Sequence, residues 1–287
     1  VDILVNNAGI TRDALVDYHR TWFKPNNATM IVVGDTSMAE IKPKLENLFR
    51  RWQPGDVPTK TLGLAANRDA EAIYIIDRPE SEQSIVFAAN LAPPRGEIDQ
   101  FGVEAMNEII GGSFTSRVNM NLREDKGWAY GAGTFIINTA EQRPFIAYAP
   151  VQTDKTAESI AEMRRELVEY LGEAPPSEEE LQKVKDNNTL SLPGRWESGS
   201  AVLQDLGQLA TYDLPDDYYD SYVQRIRGLN SSALTDAAKQ MIDTQGLAWV
   251  VVGDLSQIEA PNRPSTLRLA LDSEAVHCVV RVFGNHE

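Results

Sequence analysis

The sequence predicts an α+β fold, a two-layer sandwich in which helices cover one face of a mainly antiparallel sheet. Three observations predict it: apolar strand-like runs gather between residues 72 and 151, helical periodicity fills 155 to 242, and one late strand-like run follows at 248 to 252. Strands first and helices second is the order of segregated layers, and the short spacings between the early runs suit antiparallel pairing. Ahead of this block stands the tail of a second, homologous domain.

A chain of 287 residues with 42% hydrophobic content can bury one large core, or one core and part of another. No window approaches eighteen uncharged apolar residues and no basic start leads into an apolar run, so neither a membrane span nor a signal peptide is expected in it. A formal charge of −15 argues against nucleic acid, which needs clustered Lys and Arg, and favours basic peptides as partners. The single Cys278 leaves no disulfide framework and no multi-cysteine zinc site.

The elements follow in order. Residues 1–13 form an atypical opening, treated below. In 14–62, Leu15 to Trp22 finishes a helix, Pro25-Asn26-Asn27 turns, Met30 to Val33 is a strand, and Ile41, Leu45, Leu48, Phe49 and Trp52 recur at helical spacing. Gln53 to Asn67, with Pro54, Gly55, Pro58 and Gly63, has linker chemistry, and the domain boundary is placed there. Ala28-Thr29-Met30-Ile31-Val32-Val33-Gly34-Asp35 is similar to Leu247-Ala248-Trp249-Val250-Val251-Val252-Gly253-Asp254, about one domain length away, which suggests two homologous domains.

Within 68–260 the reading is strand (Ala72 to Asp77), strand (Ser84 to Leu91), helix (Asp99 to Ile110), helix (Phe114 to Glu124), and strands at Trp128 to Asn138 and Pro144 to Val151. Helices then run from Lys155 to Leu171, Ser177 to Ser191, Ser200 to Tyr212, Asp216 to Arg227 and Ser231 to Ile242, before the strand Ala248 to Val252 closes the set. Ser177 with Glu178, Glu179 and Glu180 is a helix start, its hydroxyl capping free amides while the carboxylates meet the positive end of the dipole, so this acid run is structural. Residues 261–287 show no periodicity and no cap, and their fold is not read.

The segment with the most chemistry runs from Gly111-Gly112 to Tyr130-Gly131. On a helix from Phe114 to Glu124, Phe114, Val118 and Leu122 share a face, which leaves Arg117 and Arg123 to point elsewhere, as surface charges or as ligands.

Leu122-Arg123 followed by Gly127-Trp128-Ala129-Tyr130-Gly131 resembles the Leu-Arg and Gly-X-X-Tyr-Gly motif of the pitrilysin/insulysin-type, inverted-zincin metallopeptidases. Trp22-Phe23-Lys24-Pro25-Asn26-Asn27-Ala28, the two Val-Gly-Asp runs and Arg143-Pro144-Phe145 resemble the same family, over roughly Ala14 to Glu259. The resemblance is to the C-terminal, metal-free half. It implies a LuxS/peptidase-like metalloenzyme fold and a soluble bacterial protein, periplasmic or cytoplasmic. It also implies that Arg123 and Tyr130 act as accessory catalytic residues, contacting the substrate backbone or its oxyanion.

The expected partners are a peptide substrate and a zinc-bearing N-terminal half or subunit, with two copies associating through the first-domain remnant, and with no nucleic acid and no membrane. The family's His-X-X-Glu-His is absent, and His19, His277 and His286 lack metal-ligand spacing, so no cofactor is expected in this chain and zinc is expected on the partner half. The chain alone is then inactive. An alternative is an inert peptide-binding or structural subunit of the same family.

Val1 to Asp13, with Asn6-Asn7-Ala8-Gly9, resembles a strand of the short-chain dehydrogenases. That family also needs a glycine-rich turn and Tyr-X-X-X-Lys, and no tyrosine here has a lysine four residues on, so this stays a remote alternative, and the segment is open to three readings: a chimeric join, a mis-assembled reading frame or a chance resemblance in a buried strand.

Overall fold

The computed structural model describes residues 11–139 and 141–258, together with the backbone of 276–282. In chain order the elements are α1 (Arg12–Trp22), α2 (Met38–Phe49), β1 (Glu71–Asp77), β2 (Gln83–Ala92), α3 (Gln100–Asn107), α4 (Arg117–Asn119), β3 (Gly133–Ile136) and β4 (Arg143–Gln152). There follow α5 (Thr156–Leu171), α6 (Glu178–Leu190), α7 (Leu192–Arg195), α8 (Gly199–Thr211), α9 (Tyr222–Gly228), α10 (Ser231–Met241), β5 (Ala248–Gly253), α11 (Leu255–Ile258) and β6 (Val276–Val282).

The chain divides into two compact units, one from the described part of Val1–Gly63 with Leu192–Asp216, the other from Leu64–Ser191 with the described part of Asp217–Glu287. The second holds a six-stranded sheet among the described residues, in the order β3-β4-β2-β5-β1-β6. The pairs β3/β4, β4/β2 and β2/β5 are antiparallel, while β5/β1 and β1/β6 are parallel. The fold is therefore α+β with a mainly antiparallel sheet.

Strict alternation gives the sheet its inner face: Val86, Ala88, Ala147, Ala149, Val151, Trp249 and Val251 are buried, and the residues between them are not. Helices α5 and α10 pack on β2, α5 also on β4, and α3 on α10. They fill the layer with Met106, Ile160, Met163, Leu167, Leu234 and Met241. Burying each such side chain contributes about 1.5–3 kcal/mol. Ser177 and Glu180 form the expected capping box at α6.

The other unit has no such layer. None of the residues of α1 or α2 is buried, and Leu48 is 71% exposed. Polar latches organise it. Asn26 exchanges hydrogen bonds with Gly55 at 3.0 and 3.1 Å, and Trp52 Nε1 donates to the Phe23 carbonyl at 3.1 Å. Asp205, itself buried, accepts from Arg195 and Trp196.

Several boundaries differ from the sequence reading. Met30 to Val33 forms no ladder, because among the described residues no strand lies alongside it to accept its amides. The helix over Asp99 to Ile110 is α-helical to Asn107 and runs on as a π-turn to Gly112, and the one expected from Phe114 begins at Arg117. Trp128 to Asn138 contracts to β3 and one isolated bridge, Ala129 to Val151. Turns replace the start of the helix expected from Asp216. The strand Ala248 to Val252 does not close the set, since β6 pairs with β1 inside the segment whose fold was not read. The opening at 1–10 and most of 261–287 lie outside the described residues.

Candidate functional site

The segment from Asn107 to Thr134 is built around close backbone approach. A Cβ on Gly111 would collide with the Thr134 amide, and one on Gly133 with the Gly111 carbonyl, so these two glycines let a π-turn over Glu108–Gly112 lie flat against β3. Asn107 fastens it, accepting from the Thr134 hydroxyl at 2.8 Å and donating to the Thr134 carbonyl at 3.4 Å.

After α4 the chain widens again into a π-turn over Met120–Asp125 and folds back on itself. The Lys126 amide donates to the Asn121 carbonyl at 3.0 Å, and the amides of Trp128 and Ala129 both donate to Leu122, at 2.9 and 3.3 Å. Gly127 makes the reversal possible at φ +66°, where a side chain would be strained. The backbone just ahead of Tyr130 thereby lies against the backbone just ahead of Arg123.

Tyr130 sits on a bend rather than in a strand and is 87% exposed, and its hydroxyl has no partner among the described residues. The Arg123 guanidinium lies 4.4 Å over the Phe114 ring, with Nε 3.2 Å from Glu124. The two residues share one surface turn but do not bond to each other. Phe114 is 62% exposed, so the shared face reduces to Val118 and Leu122, both buried. The reason is that Phe114 precedes the helix start and never enters its periodicity.

Arg117 is no loose surface charge. It donates to Glu180 at 2.6 and 2.7 Å and to the carbonyls of Ala174 and Pro175 at 2.5 and 3.1 Å, and it lies 5.0 Å over the Tyr170 ring. Burial works to push the Glu180 carboxyl up, but hydrogen bonds from Arg117 and Ser177 take it below the ordinary range. Burial pushes the Tyr170 phenol up. This hub holds α6 to the start of α4, which is structural work.

A residue that the sequence reading did not single out stands between these parts. Asn119 is buried, accepts from the Ala132 amide at 2.9 Å and donates to the Phe114 carbonyl at 2.6 Å. Its signal in the sequence is an Asn between the apolar Val118 and Leu122, where burial demands hydrogen-bond partners.

Among the described residues, no group of three or more His, Cys, Asp or Glu is placed to hold a metal ion. The described residues thus do not assemble a zinc site, and no step through a metal is derived for this chain. His19 stacks on Phe23 at 4.8 Å, and the side chains of His277, Cys278 and His286 lie outside the described residues. No helix among the described residues is long and apolar enough to cross a membrane.

The chain matches the family described as the peptidase M16 inactive domain over residues 9–188, more than half its length and including the whole Arg123 to Tyr130 turn. The chain belongs to this family. Similar to it are the zinc protease PqqE of Helicobacter pylori, 23% identical over 79% of this chain and 48% of that one, and the uncharacterized zinc protease YmxG of Bacillus subtilis, 20% identical over 82% and 56%. A solved peptidase M16 inactive domain from Pseudomonas fluorescens shares the fold at TM-score 0.76 and 21% identity, over 86% of this chain and 58% of that one. The chain spans about half the length of the curated relatives it matches. The M16 membership accords with the metal-free half read from the Arg123 and Tyr130 motif, and nothing supports the dehydrogenase alternative.

Proposed function

We propose that this M16 inactive domain is the peptide-holding half of a zinc protease. In this reading Arg123 grips a substrate backbone carbonyl and Tyr130 donates to the carbonyl oxygen as it becomes an oxyanion. The zinc belongs to a separate half or subunit, and the chain alone cleaves nothing. Residues 14–62 and 68–260 are then parts of two homologous domains, the first a remnant that seeks its counterpart or a second copy.

One observation supports this reading above the others: Tyr130 is exposed, its hydroxyl without a partner among the described residues, on a turn that backbone hydrogen bonds and Gly127 shape. A phenol and a guanidinium stay protonated at neutral pH and can only donate to a developing negative charge. Donors fixed in advance of the reaction lower its barrier because they need no reorganisation. Stacking on Phe114 restrains Arg123 by about 0.5–1 kcal/mol, as expected of a cation–π contact at an exposed site.

The test is turnover of a fluorogenic peptide by the chain assembled with its zinc-bearing half. Tyr130→Phe should lower kcat by on the order of 10²–10³ with little change in KM. Arg123→Ala should raise KM as well, since its contact is made in both ground and transition states. Full turnover by Tyr130→Phe would sink the reading.

A further inference from the structure

We infer that Asn119 is the positioning residue that locks both arms of the Arg123 and Tyr130 turn with a single carboxamide, an inference that rests on the peptide-holding reading of that turn. The side chain is 4% exposed and makes two bonds that diverge. Its Oδ1 accepts from the Ala132 amide, two residues beyond Tyr130, at 2.9 Å. Its Nδ2 donates to the carbonyl of Phe114, the ring on which Arg123 stacks, at 2.6 Å. A Cβ on Gly131 would lie 3.7 Å from Oδ1, so the amide also fills the space beneath the bend. Arg123 is four residues further along the same helical segment.

The partners leave no freedom in the amide's orientation: one is an obligate donor and the other an obligate acceptor. No other residue of that size meets both. Asp keeps the bond to Ala132 but sets a carboxylate against the Phe114 carbonyl, and Leu keeps the volume and loses both bonds. Because the two arms have different kinetic signatures, the two variants should separate them.

Asn119→Asp keeps the Tyr130 arm and loosens the Arg123 arm, so in the chain assembled with its zinc-bearing half KM for a quenched fluorogenic peptide should rise by about tenfold with kcat little changed. Asn119→Leu frees both arms, so kcat should also fall, by roughly ten- to a hundredfold. Two markers on the full chain report position without reference to activity: the ring-current shift of Phe114 on the Arg123 Nε proton, and the exchange rate of the Ala132 amide. The shift should shrink in both variants, and exchange should accelerate only with Leu. If Asn119→Leu fails to fold, Asn119→Asp alone carries the shift and the KM comparison.

Unchanged markers overturn the inference whatever the kinetics. Markers that move while kcat and KM per folded molecule stay constant uphold Asn119 as the lock and sink the peptide-holding reading instead.

Discussion

Trp249 and Met30 occupy matching positions in the two similar apolar runs, yet Trp249 is fully buried in β5 while Met30 is 52% exposed on an extended segment that pairs with no strand among the described residues. The same contrast continues through the turn. Gly253 lies so close to Ser84 on β2 that a Cβ would collide with it, whereas Gly34 has nothing within 4 Å. Asp254 accepts from the Glu80 amide, from both donors of Ser256 and from Gln257, while Asp35 is simply exposed. A Val-Val-Gly-Asp run is therefore a strand only where other strands flank it. Its local chemistry permits extension, and the ladder bonds and the covering helices supply the stability.

That contrast can be broken most sharply at the aromatic position. Trp249→Ala should cost about 3–5 kcal/mol in denaturant unfolding, the range for emptying a large core site, while Met30→Ala should stay within about 0.5 kcal/mol. Comparable losses at both sites would mean that the first run has an unrecognised partner.

At the glycines, Gly253→Ala should destabilise by about 1–3 kcal/mol because the added Cβ would collide with Ser84 Oγ and crowd the Ser84 Cβ and Cα, which the strand holds in place. Gly34→Ala should be neutral or slightly stabilising, through the lost entropy of the unfolded chain. Thermal melts of the two variants side by side measure the difference.

The smallest effect concerns acid. Hydrogen bonds from Ser256 and Gln257, with the Glu80 amide, hold the Asp254 carboxyl down at about 2. A carboxyl lowered on folding contributes stability that is complete above its unfolded value near 3.9 and is lost as pH falls through about 2. Asp254→Asn should flatten the dependence of melting temperature on pH across that window, and Asp35→Asn should leave it as it is. An unchanged slope in Asp254→Asn would show that these bonds do not survive in solution.

How much was legible in the sequence follows from the same physics. The strands β2, β4 and β5 and the Ser177 cap are local signals, each decided within a few residues, and they appear in the fold as read, whereas the burial of one face only along β5 is a feature of the fold. The motif around Arg123 and Tyr130 marked a chain reversal, and the positive φ at Gly127 is what that reversal requires. The helix drawn from Phe114 starts only at Arg117, after a π-turn over Glu108–Gly112 whose close approach to a strand more than twenty residues away sets the path of the chain. Gly111 must lie flat on Thr134, which no periodicity within the segment can announce.

The sequence by itself determined which segments extend as strands, where helices could start, and which two donors stand beside a reversing turn, because these depend on side-chain character, caps and backbone freedom over short range. Only the tertiary structure decided which of two similar runs became a strand, that Arg117 turned inward to Glu180, and that Asn119 tied Phe114 to Ala132. Each of these depends on a partner distant in the chain, and a buried polar group takes whichever partner the fold brings within hydrogen-bond reach.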